Sequence, residues 1–358
     1  MRASVAVATT RSYASGWAQW VKHRVGIGAA VEGDPDEVGC YDPKEDELMR
    51  FVAELSMERK GKAKGLTERT VRSYLAAITH RHLVKMKRDP RQDLVFLPKM
   101  MVGVKRMRGA ATKPKRPITL SLLKEMKKHV KNEGARAVEK AAVWAAMCMG
   151  VHGLFRLGEL LPPKGERAPL TWGDVRRVSD VHVTVHLRTS KTDQFGKGAL
   201  VNLFATGDET CPLAALREMR EAQVKAGVTI SESTALFTHS PSKRASPLSK
   251  AAVIKELKRA VACVAKEFPH LGLQSKDFAG HSLRRGGATS LALRGVREPV
   301  LRLLGRWESD AVNLYIALPV ESLKGASELM TMDPERYREV DLAAAASPAS
   351  VDRWVNEL

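Results

Sequence analysis

The sequence has no apolar run long enough to cross a membrane. Its most apolar stretch, Ala141 to Phe155, contains His152 and runs into Arg156, short of the roughly 20 residues that a spanning helix needs. Cysteines are few, only Cys40, Cys148, Cys211 and Cys263. They are scattered with no metal-ligand or redox spacing, so they read as reduced, mostly buried thiols in a reducing compartment. No internal repeat is present. The carboxylates, for example Asp174, Asp193 and Asp277, form no triad, which argues against a metal-dependent nuclease or transposase of the acidic type. Acidic residues are also missing before Glu32, while Arg2, Arg11, Lys22 and Arg24 are there. That charge profile is shared by transit peptides. The apolar stripe of Trp17, Trp20 and Val21 instead reads as the first helix of a domain.

What the chain does have is size and positive charge. It holds 358 residues, 44% of them hydrophobic, enough for two domains with real cores. The formal net charge is +19, from 59 Lys and Arg against 40 Asp and Glu. Such a charge repels itself in a compact fold and a polyanion relieves it, so nucleic acid is the expected partner.

The first part reads as helical, with helices expected over Ser12–Lys22, Pro43–Leu55, a third capped by Thr67, and Leu94–Val104. The third helix has an apolar face and a basic one, which carries Arg69, Arg72, Arg81 and Lys85. From Lys105 to Pro117 the sequence is basic, with Gly and Pro and no apolar period. It reads as an inter-domain linker, and Lys105, Arg106, Lys113, Lys115 and Arg116 are candidate phosphate contacts along it.

The second part opens with Thr119 capping a helix over Ser121–Lys131, then a buried helix over Ala137–Gly150. Strand signals follow at Leu170–Trp172, Val181–Leu187 and Ala199–Phe204, with a turn-rich hairpin tip at Ser190–Gly198. The remainder reads as helical: Pro212–Ala226, Lys250–Phe268, Leu283–Leu293, Pro299–Leu304 and Ser309–Ile316. An Ala-rich stretch, Leu342–Ala349, precedes an amphipathic end from Val351 to Leu358. The pattern predicts a mainly α chain with a small antiparallel β-sheet, an α+β fold. The expected domains are 1–104 and 118–335, joined by a linker over 105–117 and followed by a tail over 336–358.

Four pieces stand out: Phe155-Arg156-Leu157-Gly158-Glu159-Leu160, Ser190-Lys191-Thr192-Asp193, Gly280-His281-Ser282-Leu283-Arg284-Arg285-Gly286-Gly287-Ala288-Thr289, and Gly305-Arg306-Trp307 followed by Tyr315. Each alone has a plain structural reading: a snorkelling arginine, a turn lysine, a helix-start pair, core aromatics. In this order they resemble the tyrosine recombinase (phage integrase) family, which uses Arg, Lys, His-x-x-Arg, His or Trp, and a Tyr nucleophile. The wording around His281 is most similar to the eukaryotic Crypton- and DIRS-type mobile-element branch. Arg284 and Trp307 are 23 positions apart and Trp307 and Tyr315 are 8 apart. The first interval is usual in the family, and the second matches that branch. An insertion around Pro162–Arg167 lengthens the gap from Arg156 to Lys191, with Lys197 as the substitute lysine. The resemblance covers Gly153 to Ile316.

The resemblance implies a helical core-binding (SAM-like) domain ahead of a catalytic domain. It assigns catalysis to Arg156, Lys191, His281, Arg284, Trp307 and Tyr315, and each assignment has a chemical reason. Two arginines hold the non-bridging oxygens of a phosphodiester and stay charged. A phenol of pKa about 10 needs a base, which His281 provides. Lys191 protonates the leaving 5′-oxygen, and Trp307 offers an indole N–H to phosphate. Glu159 orients an arginine or His281 from behind. No metal or other cofactor is required, because arginines stand in for a cation and the phosphotyrosine conserves the bond energy. The implied partners are double-stranded DNA, clamped between the two domains, and further copies of the chain in a tetramer at synapsis. The tail is expected to dock on a neighbouring copy. The eukaryotic-looking motif and basic runs such as Lys113–Arg116 point to the nucleus if the source is eukaryotic, and otherwise the expected place is the cytoplasm, with the DNA. Two other readings stay open, a type IB topoisomerase and a domesticated protein that only binds DNA.

Overall fold

The computed structural model describes residues 7–29, 42–57, 65–108, 114–130, 136–162, 168–188, 197–239, 248–308, 312–313 and 315–316. The chain divides into two compact units, residues 1–113 and 114–358.

The first unit is built from α1 (Val7–Gly26), α2 (Glu45–Ser56), α3 (Glu68–Met86) and α4 (Phe96–Arg108). Apolar residues three and four apart put one stripe of each helix inside. Trp17, Trp20, Phe51, Val52, Val71, Leu75, Ile78 and Val104 form that core. Arg24 is buried there with a carboxylate partner, Glu47, at 2.5 Å, as a buried charge requires. α4 runs to Arg108, so Lys105 and Arg106 sit on its last turn and not in an extended linker. The chain continues in a helix there because Lys, Arg and Met are good helix formers and no Gly or Pro intervenes before Gly109.

The second unit contains α5 (Leu120–His129), α6 (Ala137–His152), α7 (Leu157–Leu160), a three-stranded sheet, α8 (Pro212–Lys225), α9 (Lys250–Glu267), α10 (Gly280–Leu293) and α11 (Glu298–Gly305). The sheet is antiparallel with β2 (His182–Leu187) between β1 (Val175–Ser179) and β3 (Ala199–Phe204). Val185 faces Val175 on one side and Val201 on the other. Val185, Leu187, Val201 and Leu203 are buried on one face. α6 is apolar all round and every residue from Ala141 to Val151 is buried, as expected of a central helix. The architecture is thus mainly helical with one small antiparallel sheet, as the sequence pattern predicts.

One expected strand is corrected. Leu170–Trp172 makes only an isolated bridge, Thr171 to Ala235, because Asp174 caps Thr171 and tightens the chain into a short 3₁₀ turn. The first strand starts after that turn, at Val175. Its alternation is weak because it is an edge strand with Arg176 and Arg177 exposed. Lys113, the hairpin tip with Lys191, residues 163–167 of the insertion, half of the expected helix Ser309–Ile316, and the tail over 336–358 lie outside the described residues.

Two glycines let α10 reach its place. A Cβ on Gly286 would lie 1.7 Å from the Ile118 carbonyl oxygen, and one on Gly287 would lie 2.2 Å from that of Val151. Backbone is therefore in contact on both sides of α10. The same entry segment is pinned to the start of the helix, since Ile118 N–H donates to Ser282 O at 2.9 Å and Arg116 N–H donates to Asp277 O at 2.9 Å. Neither neighbour is a flexible side chain that could step aside, so Gly286→Ala should cost about 3 kcal/mol. Gly103→Ala, on α4 with open space around it, should be neutral or stabilising by up to about 1 kcal/mol. Chemical denaturation of both variants checks the pair; equal effects would show that the close approach is not rigid.

Candidate active site

The site gathers where the start of α10, the turn between α6 and α7, and the end of α11 meet. α10 begins at Gly280, three residues earlier than the apolar period predicts. Ser282 Oγ accepts from Ala279 N–H at 3.0 Å and closes that first turn. His281 and Arg284 therefore lie one turn apart on the same helix.

Arg284 is fully buried. Its Nη1 donates to Leu154 O and its Nη2 to Gly305 O. The guanidinium carbon sits 4.3 Å from the ring centre of Trp307 and 5.3 Å from that of Tyr315, within cation–π range. Burial, and next the like charge of Arg156, push its pKa down to about 9. At neutral pH it still carries its charge, held at a cost that an anion would offset.

Arg156 caps α7 and pairs with Glu159, Nη1 to Oε1 at 2.7 Å. Arg156 N–H donates to Glu159 Oε2 at 2.9 Å. Glu159 is buried and also receives Arg306 Nη2 at 3.1 Å. Burial pushes the Glu159 carboxyl up, but Arg306, then the Arg156 backbone N–H and charge, outweigh it and hold the pKa below the usual value. Arg306 lies within the Gly305-Arg306-Trp307 piece that stands out in the sequence, but that pattern assigns it no role.

Tyr315 is half-buried, and its Oη lies 3.4 Å from His281 Nδ1. Its ring packs on Trp307 with centroids 5.2 Å apart, and its carbonyl accepts from Thr289 Oγ1 of α10 at 3.3 Å. Trp307 is 7% exposed. Its Nε1 and Arg284 Nε have no hydrogen-bond partner among the described residues. Two buried donors on side chains packed against the tyrosine ring are costly unless they serve a ligand. A Cβ on Gly305 would lie 1.9 Å from the Trp307 ring, so that glycine makes room for the indole. Arg156, Glu159, His281, Arg284, Trp307 and Tyr315 thus come together. Lys191 lies outside the described residues, and Lys197 lines an open pocket with Asp174, Arg176 and His186. Among the described residues no cluster of His, Cys, Asp or Glu is placed to hold a metal ion.

The basic residues expected from the sequence to contact phosphate differ among themselves. Arg69, Lys105 and Arg106 are exposed. Arg72 pairs with Glu68 on its own helix, and the Arg81 guanidinium lies 5.5 Å from the ring centre of Trp17. Lys115 donates to Lys276 O at 2.7 Å and Arg116 to Gly272 O at 3.1 Å, so both are tethers of the second unit's entry segment.

Glu159→Gln should cost about 3 kcal/mol at neutral pH, because two arginines lose their counter-charge in a buried site. The Glu159 pKa is depressed in the fold, so its contribution is present above the ordinary glutamate pKa and fades as pH falls through the lower folded value. Denaturation at pH 7 and pH 3 should show the gap between wild type and variant closing in acid. A constant gap would mean that the carboxylate charge is not what matters.

No protein-family model matches the chain. Among solved structures, XerH site-specific recombinase bound to palindromic difH substrate in a post-cleavage complex matches with a TM-score of 0.56 at 16% identity, over 88% of this chain and 77% of that one. The Tn1549 transposon integrase with circular intermediate DNA matches at 0.50 and 14% identity, over 88% of this chain and 99% of that one. These likenesses show the fold. In sequence, an integrase/recombinase xerD homolog of Selenomonas ruminantium is 30% identical over 257 residues, which is 69% of this chain and 67% of the relative. With that identity over two thirds of both chains, and the same fold in the solved recombinases, the chain belongs to the tyrosine recombinase/integrase family.

Proposed function

We propose that the chain is a site-specific DNA recombinase that cuts and rejoins strands through a 3′-phosphotyrosyl link on Tyr315. The observation that carries this reading is the tyrosine hydroxyl 3.4 Å from His281 Nδ1, on a ring whose centre lies 5.3 Å from the buried Arg284 guanidinium. Arg156 and Arg284 would grip the non-bridging oxygens of the scissile phosphate, and Trp307 Nε1 would add a donor. His281 Nδ1 takes the phenol proton as Tyr315 Oη attacks phosphorus. The new bond is Oη–P and the broken bond is P–O5′, and Lys191 gives the departing oxygen its proton. Religation runs the same steps backward with a free 5′-hydroxyl, so no bond energy is lost.

DNA as partner is supported by the charge of +19 and by the DNA complexes of XerH and the Tn1549 integrase. Residues 1–104 serve as the core-binding domain, with Arg69 and the basic end of α4 against the phosphates, and 118–335 as the catalytic domain. Cleavage belongs to a tetramer on two DNA sites. The His281-to-Thr289 wording favours a mobile-element enzyme of the Crypton or DIRS type, working in a nucleus.

A covalent trap tests the reading. Protein would be mixed with nicked suicide duplexes from the flanks of its own gene and stopped with SDS. Wild type should give a protein–DNA adduct that Tyr315→Phe abolishes and Arg284→Ala cuts by at least about 100-fold. An adduct that survives in Tyr315→Phe would mean that another group is the nucleophile. Tight DNA binding without any adduct would favour a protein that only binds. Relaxation of supercoils by monomers, with no exchange between sites, would favour the topoisomerase. Affinity should also drop by about 1,000-fold between 50 and 200 mM salt if six or more phosphates are contacted; a flat response would count against that.

A further inference from the structure

One charged side chain of the site has no part in the chemistry above. Arg306 ends α11 in the left-handed conformation, φ 56°, and turns its guanidinium inward. Nη1 donates to Gly153 O at 3.2 Å and to Leu304 O at 3.2 Å. Nη2 donates to Leu154 O at 3.1 Å and to Glu159 Oε2 at 3.1 Å. Its face lies over the Phe155 ring at 5.3 Å. Burial pushes its own pKa down against the pull of Glu159. A left-handed backbone at a residue with a Cβ and a desolvated charge are both costs. They persist where the surroundings over-determine them.

The partners say what the arrangement holds. Glu159 Oε1 receives Arg156 while Oε2 receives Arg306. Leu154 O receives both Arg284 and Arg306. Arg306 therefore touches each phosphate-gripping arginine through one shared acceptor. Leu154 is itself left-handed, φ 48°, so its carbonyl is aimed by a strained turn that the two guanidinium groups hold down.

We propose that Arg306 is a positioning residue that sets the spacing and direction of Arg156 and Arg284, through the Glu159 carboxylate and the Leu154 carbonyl. The inference rests on the phosphotyrosine reading for its catalytic consequence, but the linkage itself does not. The Arg306 guanidinium is bonded into the Gly153–Glu159 turn. The charges that face Glu159 are Arg156 at the start of its own helix, Arg306 from α11, Arg284 from α10, and Asp174 with Arg188 across a small pocket. Arg306 acts on the rate of strand cleavage and leaves DNA affinity alone.

Single-turnover trapping on saturating suicide duplex reads this out for wild type, Arg306→Lys and Arg306→Gln. Arg306→Gln should slow adduct formation by about 10–100-fold, the usual range for a supporting residue behind a reactive group, with DNA affinity within about twofold. Its acid limb should move to higher pH, because Glu159 loses the strongest cation that keeps it ionised. Arg306→Lys keeps the charge but not the fork and should recover part of the rate. Thermal melts of Arg306→Gln, Glu159→Gln and the double variant give a second answer that needs no activity. Losses should be strongly non-additive. Wild-type cleavage with an unshifted pH profile in Arg306→Gln, or additive melts, would overturn the proposal. Absence of any adduct in wild type would fell the phosphotyrosine reading, while the melts would still decide the linkage. A variant too unstable to assay is covered by Arg306→Lys, whose full wild-type rate and pH profile would equally overturn it.

Discussion

The buried guanidinium of Arg284 is the interaction on which the second unit's organisation turns. It leaves α10 from inside the protein and closes on two backbone carbonyls, Leu154 O before α7 and Gly305 O at the end of α11. Three segments far apart in sequence are thereby held to one cation. A cation in such a place is expensive, and here the expense is raised by Arg156 and Arg306 nearby. Two of these guanidinium groups, Arg156 and Arg306, pair with one buried carboxylate, Glu159, whose charge also reaches Arg284. The fold tolerates this because each charge is hydrogen-bonded and because cation and aromatic faces alternate, Arg284 against Trp307 and Arg306 against Phe155. The residual positive charge is what a phosphate would find. Stability is spent locally where an anion must be held, a common trade at functional sites.

The packing around this cation leaves little freedom. α6 is buried along its middle eleven residues from Ala141 to Val151 and serves as the floor against which α10 is pressed. Gly286 and Gly287 bring α10 so near the entry segment and α6 that backbone meets backbone. The helix carrying His281 and Arg284 is therefore located by main chain on two sides, a stiffer support than side-chain packing alone.

Much of this was legible in the sequence, for identifiable reasons. α6 reads clearly because a buried central helix leaves an unbroken apolar record. α3 reads from Thr67 at its start and from its apolar period, and α9 falls where the sequence reads as helical, over Lys250–Phe268. His281, Arg284, Trp307 and Tyr315 were found because their order and spacing form a joint pattern. β1 was missed because an exposed edge strand with Arg176 and Arg177 carries no apolar alternation, and Leu170–Trp172 mimicked it with three strand-prone residues. The apolar period starts α10 later than the structure does because Gly280 and His281 are poor helix formers, and their turn is closed by a local cap from the Ser282 hydroxyl. Arg306 was passed over because a buried arginine and a surface one are the same letter. Only the acceptors that converge on it, from Gly153, Leu154 and Glu159, reveal its place.

The hydrogen bond from Thr289 to the Tyr315 carbonyl has a consequence for division of labour between copies. It fastens the tyrosine's backbone to α10, the helix that carries His281 and Arg284. Tyr315, His281 and Arg284 are then furnished by one polypeptide. For the proposed cleavage, a copy seated on its half of a DNA site has no need to borrow a tyrosine from its neighbour. Under the proposed mechanism, a neighbour would contribute permission rather than these parts, and restraint against premature nicking would come from how the phosphate is presented to them.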